Sequence, residues 1–157
     1  MHHPTASPEP APLTAEERAT LLRLAREAIE CRLTRRPPPV PIGPGGQLAL
    51  TPRMMAHSGA FVTLNSSTGE LRGCVGLPFP AQPLYAAVLE AAPSAAVDDP
   101  RFERVTLDEL PSLHIEISVL TPPVSLTDLG LQPNATDRKS TRLNSSHVAL
   151  SRMPSSA

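Results

Sequence analysis

One short segment carries the residue types with the most chemical reach. Arg72 and Cys74 stand two apart in LRGCVG, bracketed by Gly73 and Gly76. Side chains alternate faces along a strand, so an extended LRGCVG puts Arg72 and Cys74 on one face and Leu71 and Val75 on the other. A guanidinium beside a thiol favours the nucleophilic thiolate, and it can equally hold a carboxylate or a phosphate. Glycine inside a strand marks a bulge or the close approach of another group, which makes the thiol reachable. The plainer reading is that Cys74 is a small apolar residue in a packed sheet, as free cysteines commonly are. The spacing leaves both readings open.

A cysteine nucleophile needs a base. The histidines on offer are His57, in a loop, and His114, on a later strand, and spacing puts neither beside Cys74. No histidine or cysteine spacing suits zinc. Neither GPGG nor LRGCVG has the strand-loop-helix context that cradles phosphate, so neither a nucleotide nor another cofactor is expected. Glu116, between Ile115 and Ile117, puts its carboxylate on the strand face away from the core, exposed or paired across the sheet with Arg72.

The elements that must position these residues follow from periodicity. Thr14 with Glu17 three positions on is a capping box, and Leu21, Leu24, Ala25, Ala28 and Cys31 form one helical stripe with Arg23, Arg26, Glu27 and Glu30 opposite. That helix must stop before Pro37. GAFVTL, the turn NSSTG and ELRGCVG predict a β-hairpin. Residues 84–97 suit a helix that Pro93 should kink or divide, ended by Asp98, Asp99 and Pro100. LHIEISVL alternates as a strand with Leu113, Ile115, Ile117 and Val119 buried.

The bulk figures set limits. At 157 residues and 40% apolar content the chain suits one domain. Proline, 20 residues, is in excess, and residues 1–12 read as a disordered tail. With only Cys31 and Cys74, and no signal-like start, reduced thiols in a cytoplasmic protein are expected. No apolar run suits a membrane helix, and a formal net charge of −1 gives no footprint for nucleic acid.

The tail alters even that charge. Asp137 to His147, DRKSTRLNSSH, is one reading frame of a common sequencing adapter, and Ser151 to Ala157 continues into its second constant part. Residues 137–157 are therefore read as translated adapter and 125–136 as unmatched sequence. Without residues 137–157 the chain holds 10 basic and 14 acidic residues, so a basic C-terminal arm disappears.

GAFVTL, LRGCVG, a small-residue helix leading to DPRF, and then IEISVLTPP, in that order, closely resemble the AMMECR domain family, also called AmmeMemoRadiSam system protein A. The resemblance spans Leu13 to Val124. Its hallmark is matched by Leu71 to Gly76, its DPRF by Asp99 to Phe102, and its IE[IV]SVL by Ile115 to Leu120. It implies an α+β domain with a mostly antiparallel sheet flanked by helices, here a partial domain over 13–124 because the family continues beyond TPP. It also implies companions: a Memo-type protein and a radical SAM enzyme. Cys74 is carried over as the catalytic candidate, with Arg72, Gly73 and Gly76 as substrate-binding candidates. The incomplete sheet should leave apolar strand faces uncovered.

Overall fold

A single carboxylate fastens the starts of two helices. In the computed structural model, which describes residues 11–40, 50–121 and the backbone of 148–149, helix α1 runs Ala15–Leu33 and helix α2 runs Pro52–Met55. Thr14 caps α1 as its sequence predicts: Glu17 N–H donates to Thr14 Oγ1 at 3.2 Å, and Thr14 N–H donates to Glu17 Oε2 at 2.8 Å. The other Glu17 oxygen accepts the hydroxyl of Thr51, which is itself the N-cap of α2. These bonds to the anion, with the Thr51 hydroxyl foremost, hold the Glu17 carboxyl below its ordinary value despite burial.

Strands β1 (Ala60–Asn65) and β2 (Leu71–Leu77) form the expected hairpin. Its turn is closed by Ser66 N–H to the Glu70 carbonyl at 2.7 Å, with Gly69 at φ +89°, a conformation that favours glycine. Helix α3 (Leu84–Val97) follows, then a 3-10 turn (Leu110–Ser112) and strand β3 (His114–Val119). The sheet order is β2-β1-β3-β4, antiparallel throughout, where β4 is the two-residue Val148–Ala149. This is an α+β fold, as expected.

Alternation sorts the sheet into two faces. Ala60, Val62, Leu64, Ile115, Ile117 and Val119 are buried among Leu21, Ala25 and Ile29 of α1 and Val88, Ala91 and Ala95 of α3. The expectation of uncovered apolar strand faces is therefore corrected, because these two helices supply the cover. Phe61, Thr63, Asn65, His114, Glu116 and Ser118 lie on the outer, half-buried face.

Two further expectations change. Arg26 does not face solvent: it donates from Nη1 to the Leu110 carbonyl at 2.7 Å and from Nη2 to the Leu113 carbonyl at 2.9 Å, tying α1 to the turn before β3. Pro93 does not divide its helix, and α3 continues through it. One lost backbone donor is offset there by the burial of Ala91, Ala92, Ala95 and Ala96 on the packed side. The tail expected over residues 1–12 lies outside the described residues apart from 11 and 12. So do segment 125–136 and all of 137–157 except the β4 backbone.

Candidate functional site

Cys74 lies on the outer face of β2, half-buried, directly across from Thr63 of β1. Its Sγ and the Thr63 hydroxyl are 3.3 Å apart and share a hydrogen bond. Thr63 in turn pairs with Glu116 of β3, so thiol, hydroxyl and carboxylate occupy one row across three strands. Cys31, the other thiol, is buried in α1.

Among the described residues β2 is the edge of the sheet, and an edge strand exposes unpaired backbone groups. At Cys74 two side chains take the place of a neighbouring strand. The Cys74 N–H donates to Asp99 Oδ2 at 3.0 Å, and Arg101 Nη2 donates to the Cys74 carbonyl at 3.3 Å. Asp99 also accepts from Arg101 Nε at 3.0 Å, Arg101 Nη2 at 2.8 Å and the Arg101 N–H at 3.1 Å. The Asp99 side chain is 4% exposed and that of Arg101 57%. The Arg101 hydrogen bonds, followed by the Cys74 N–H, hold the Asp99 carboxyl far below its ordinary value, and Asp99 raises Arg101 in return. Arg101 also lies over the Phe102 ring, 5.3 Å from its centroid.

Arg72 departs from the strict alternation that pairs it with Cys74. Thr63 pairs with Cys74 and Leu64 with Gly73, but Asn65 pairs with Leu71, so Arg72 is the extra residue of a β-bulge. Strict alternation fails at that point, and Leu71 no longer shares a face with Val75. The Arg72 guanidinium is engaged two-pronged by Glu109, Nε to Oε1 at 2.5 Å and Nη2 to Oε2 at 3.0 Å. Each partner shifts the other towards its charged form. The carboxylate that meets Arg72 is thus Glu109 and not Glu116, and the guanidinium beside Cys74 is that of Arg101.

The two glycines serve different contacts. Gly73 is on the buried face, where a Cβ would strike the backbone carbonyl of Ala95 in α3, while a Cβ at Gly76 would strike the Phe61 ring on the outer face. Gly73 is thus packed closely against α3. His114 shares the outer face with Cys74 through its pairing with Asn65, and its Nδ1 is buried without a hydrogen-bond partner. His57 is exposed beside Pro83, before β1 begins. Among the described residues no group of three or more histidine, cysteine or acidic side chains is placed to hold a metal, and no helix is long and apolar enough to cross a membrane.

Asp99, Arg101, Thr63 and Glu109 are the site's unforeseen members. The DPRF motif is visible in the sequence, but nothing local says that its acid reaches a strand 25 residues earlier.

The AMMECR1 family model matches residues 22–144, which include both LRGCVG and DPRF. The chain belongs to the AMMECR1 family. The match starts later and runs further than the motif resemblance over Leu13 to Val124. A relative from Methanothermobacter thermautotrophicus is 43% identical over 121 residues, 74% of this chain and 57% of that protein. Protein PF1979 of Pyrococcus furiosus is 46% identical over 110 residues, 66% of this chain and 49% of that protein. The crystal structure of uncharacterized protein PH0010 from Pyrococcus horikoshii superposes with a TM-score of 0.54 at 45% identity, over 66% of this chain and 50% of that one. The chain spans about half the length of the curated AMMECR1 relatives it matches.

Proposed function

We propose that the whole AMMECR1 protein binds or modifies a small substrate on the outer sheet face at the LRGCVG segment, with Cys74 as its reactive group. The observation that carries this reading is the Cys74 thiol itself: it is half-buried on the face away from the helices, while Asp99 and Arg101 fix its backbone from the strand edge. A nucleophile held in one geometry loses little freedom when it meets its substrate. Arg101 holds the Cys74 carbonyl and Gly76 leaves room for the Phe61 ring on that face; Arg72 and Gly73 shape the strand. The protein acts in the cytoplasm, and its companions are a Memo-type protein and a radical SAM enzyme. In a full-length version, Cys74→Ser removes the pathway's output without changing the unfolding temperature. Full output from that variant sinks the reading.

A non-enzymatic adaptor with a structural Cys74 is the second reading, favoured by the hydrogen bond that already occupies the thiol on Thr63. Native alkylation by a small reagent separates the two, because a site thiol reacts quickly near neutral pH and a structural one resists. Residues 137–157 enter neither reading: we take them as translated adapter, although the family match reaches into their first part. The nucleotide sequence across codons 125–157 tests that.

A further inference from the structure

A second polar feature lies between the C-terminal end of α1 and the chain just beyond Phe102. It is a cavity of about 570 Å³, walled by Arg32, Arg35, Arg36 and Arg104 together with Leu33 and Leu107. Among the described residues no carboxylate lines it. Two of the arginines are engaged from its margin: Arg32 meets Asp98 at 3.4 Å and Arg36 meets Glu30 at 2.9 Å. Among the described residues, neither Arg35 nor Arg104 has a carboxylate in ion-pair range.

Four arginines line one concavity, two of them outside the ion pairs with Asp98 and Glu30, so the excess charge focused into it is positive. The negative end of the α1 dipole opposes this only weakly, because its last carbonyls are already occupied. Thr34 N–H donates to the Glu30 carbonyl at 2.9 Å, and Arg36 N–H donates to that of Cys31 at 2.8 Å. Arg35 turns the chain at this end with φ +58°, a left-handed position where a glycine would be the easier choice.

The chemistry that matches clustered guanidinium groups is a phosphoryl group, which accepts paired N–H bonds from arginine. The cavity is too large for a bare ion and falls in the size range of small-molecule sites, about 300–1,000 Å³. Leu107, 49% exposed, gives it an apolar patch. We propose that this cavity binds a small organic phosphate, with the phosphoryl group between Arg35 and Arg104 and the organic part against Leu33 and Leu107. The site is separate from the Cys74 face, and neither proposal depends on the other.

Titration calorimetry on the 157-residue chain, with phenyl phosphate and inorganic phosphate as probes, tests this. Phenyl phosphate should bind at least about fivefold more tightly than inorganic phosphate, because its ring leaves water. The double substitution Arg35→Gln with Arg104→Gln should weaken it about tenfold or more, with binding falling as salt rises. Both arginines are exposed, so the variant should melt like the parent, and Arg23→Gln, elsewhere on α1, should bind normally. No binding by the parent, equal affinity for the two probes, or full binding by the double variant each overturns the proposal.

Discussion

Asp99 accepts the backbone N–H of Cys74 through Oδ2 at 3.0 Å, and the same carboxylate holds the guanidinium that reaches the Cys74 carbonyl. A turn at the end of α3 thus takes the place of a neighbouring strand at residue 74 of β2, the sheet edge among the described residues. The strand cannot shift at residue 74 without breaking a charge-assisted bond in a nearly buried place.

Replacement of Asp99 by alanine should free that amide. Hydrogen exchange at the Cys74 N–H should then quicken by more than about tenfold relative to the parent, since local opening no longer breaks the bond. The pH dependence has a definite sign. The folded carboxyl is depressed below its ordinary 3.8, so its contribution to stability is complete above that value and is lost as pH falls through and below it. The melting-temperature gap between the parent and Asp99→Asn should therefore be widest near neutrality and shrink below about pH 4. A gap that stays constant down to about pH 2 would falsify the assignment of the charge to this bond.

Arg72 and Glu109 give a contrasting test. Their two-pronged pair is only 22% and 27% exposed, so Glu109→Gln should cost about 1 kcal/mol of unfolding free energy, read from denaturant midpoints. The alkylation rate of Cys74 should stay within about twofold of the parent, because neither side chain touches the thiol. A large change in that rate would return Arg72 to the thiol's surroundings.

The hairpin, the capped α1 and the alternating β3 were legible because each rests on local chemistry: NSSTG at the turn, Thr14 with Glu17 at the cap, and Ile115 and Ile117 two apart. The site was legible only in part. The glycines of LRGCVG mark a bulge or a close approach, but that the bulge falls at Arg72 depends on how β2 pairs with Asn65, which the local sequence does not specify. Asp99 reads as a helix terminator, and only the packing of α3 on β2 shows that it is also a strand-edge cap. Arg26 was misplaced for a related reason: helical periodicity assigns a face, while the carbonyls of Leu110 and Leu113 are brought to that face by the distant end of the fold.

The glycines of LRGCVG should tolerate alanine unequally. At Gly73 the obstacle is the Ala95 backbone carbonyl, which cannot move without displacing α3, so Gly73→Ala should cost about 1–3 kcal/mol through overpacking. At Gly76 the obstacle is the Phe61 side chain, which can swing away from the half-buried outer face, so the cost there should stay below about 1 kcal/mol. Equilibrium unfolding of the two variants checks the order, and the reverse order would mean that β2 faces the other way.

Arg26 offers the sharpest test of how α1 is joined to the sheet. Its two donors reach the carbonyls of Leu110, which opens the 3-10 turn, and Leu113, which follows it, and burial lowers its pKa, with no carboxylate paired to it among the described residues. Methionine at this position keeps the length of the side chain and removes both donors. The Leu110 carbonyl would still accept the Leu113 N–H at 3.2 Å, whereas the Leu113 carbonyl would lose the guanidinium. Arg26→Met should therefore cost about 1–3 kcal/mol, and Arg23→Met, on the exposed side of the same helix, should stay within about 0.5 kcal/mol of the parent. The loss should appear together with faster amide exchange at the start of β3, since the turn and the strand would loosen as one unit. Equal stability of the two methionine variants would mean that the Arg26 bonds contribute nothing beyond what water supplies to those carbonyls.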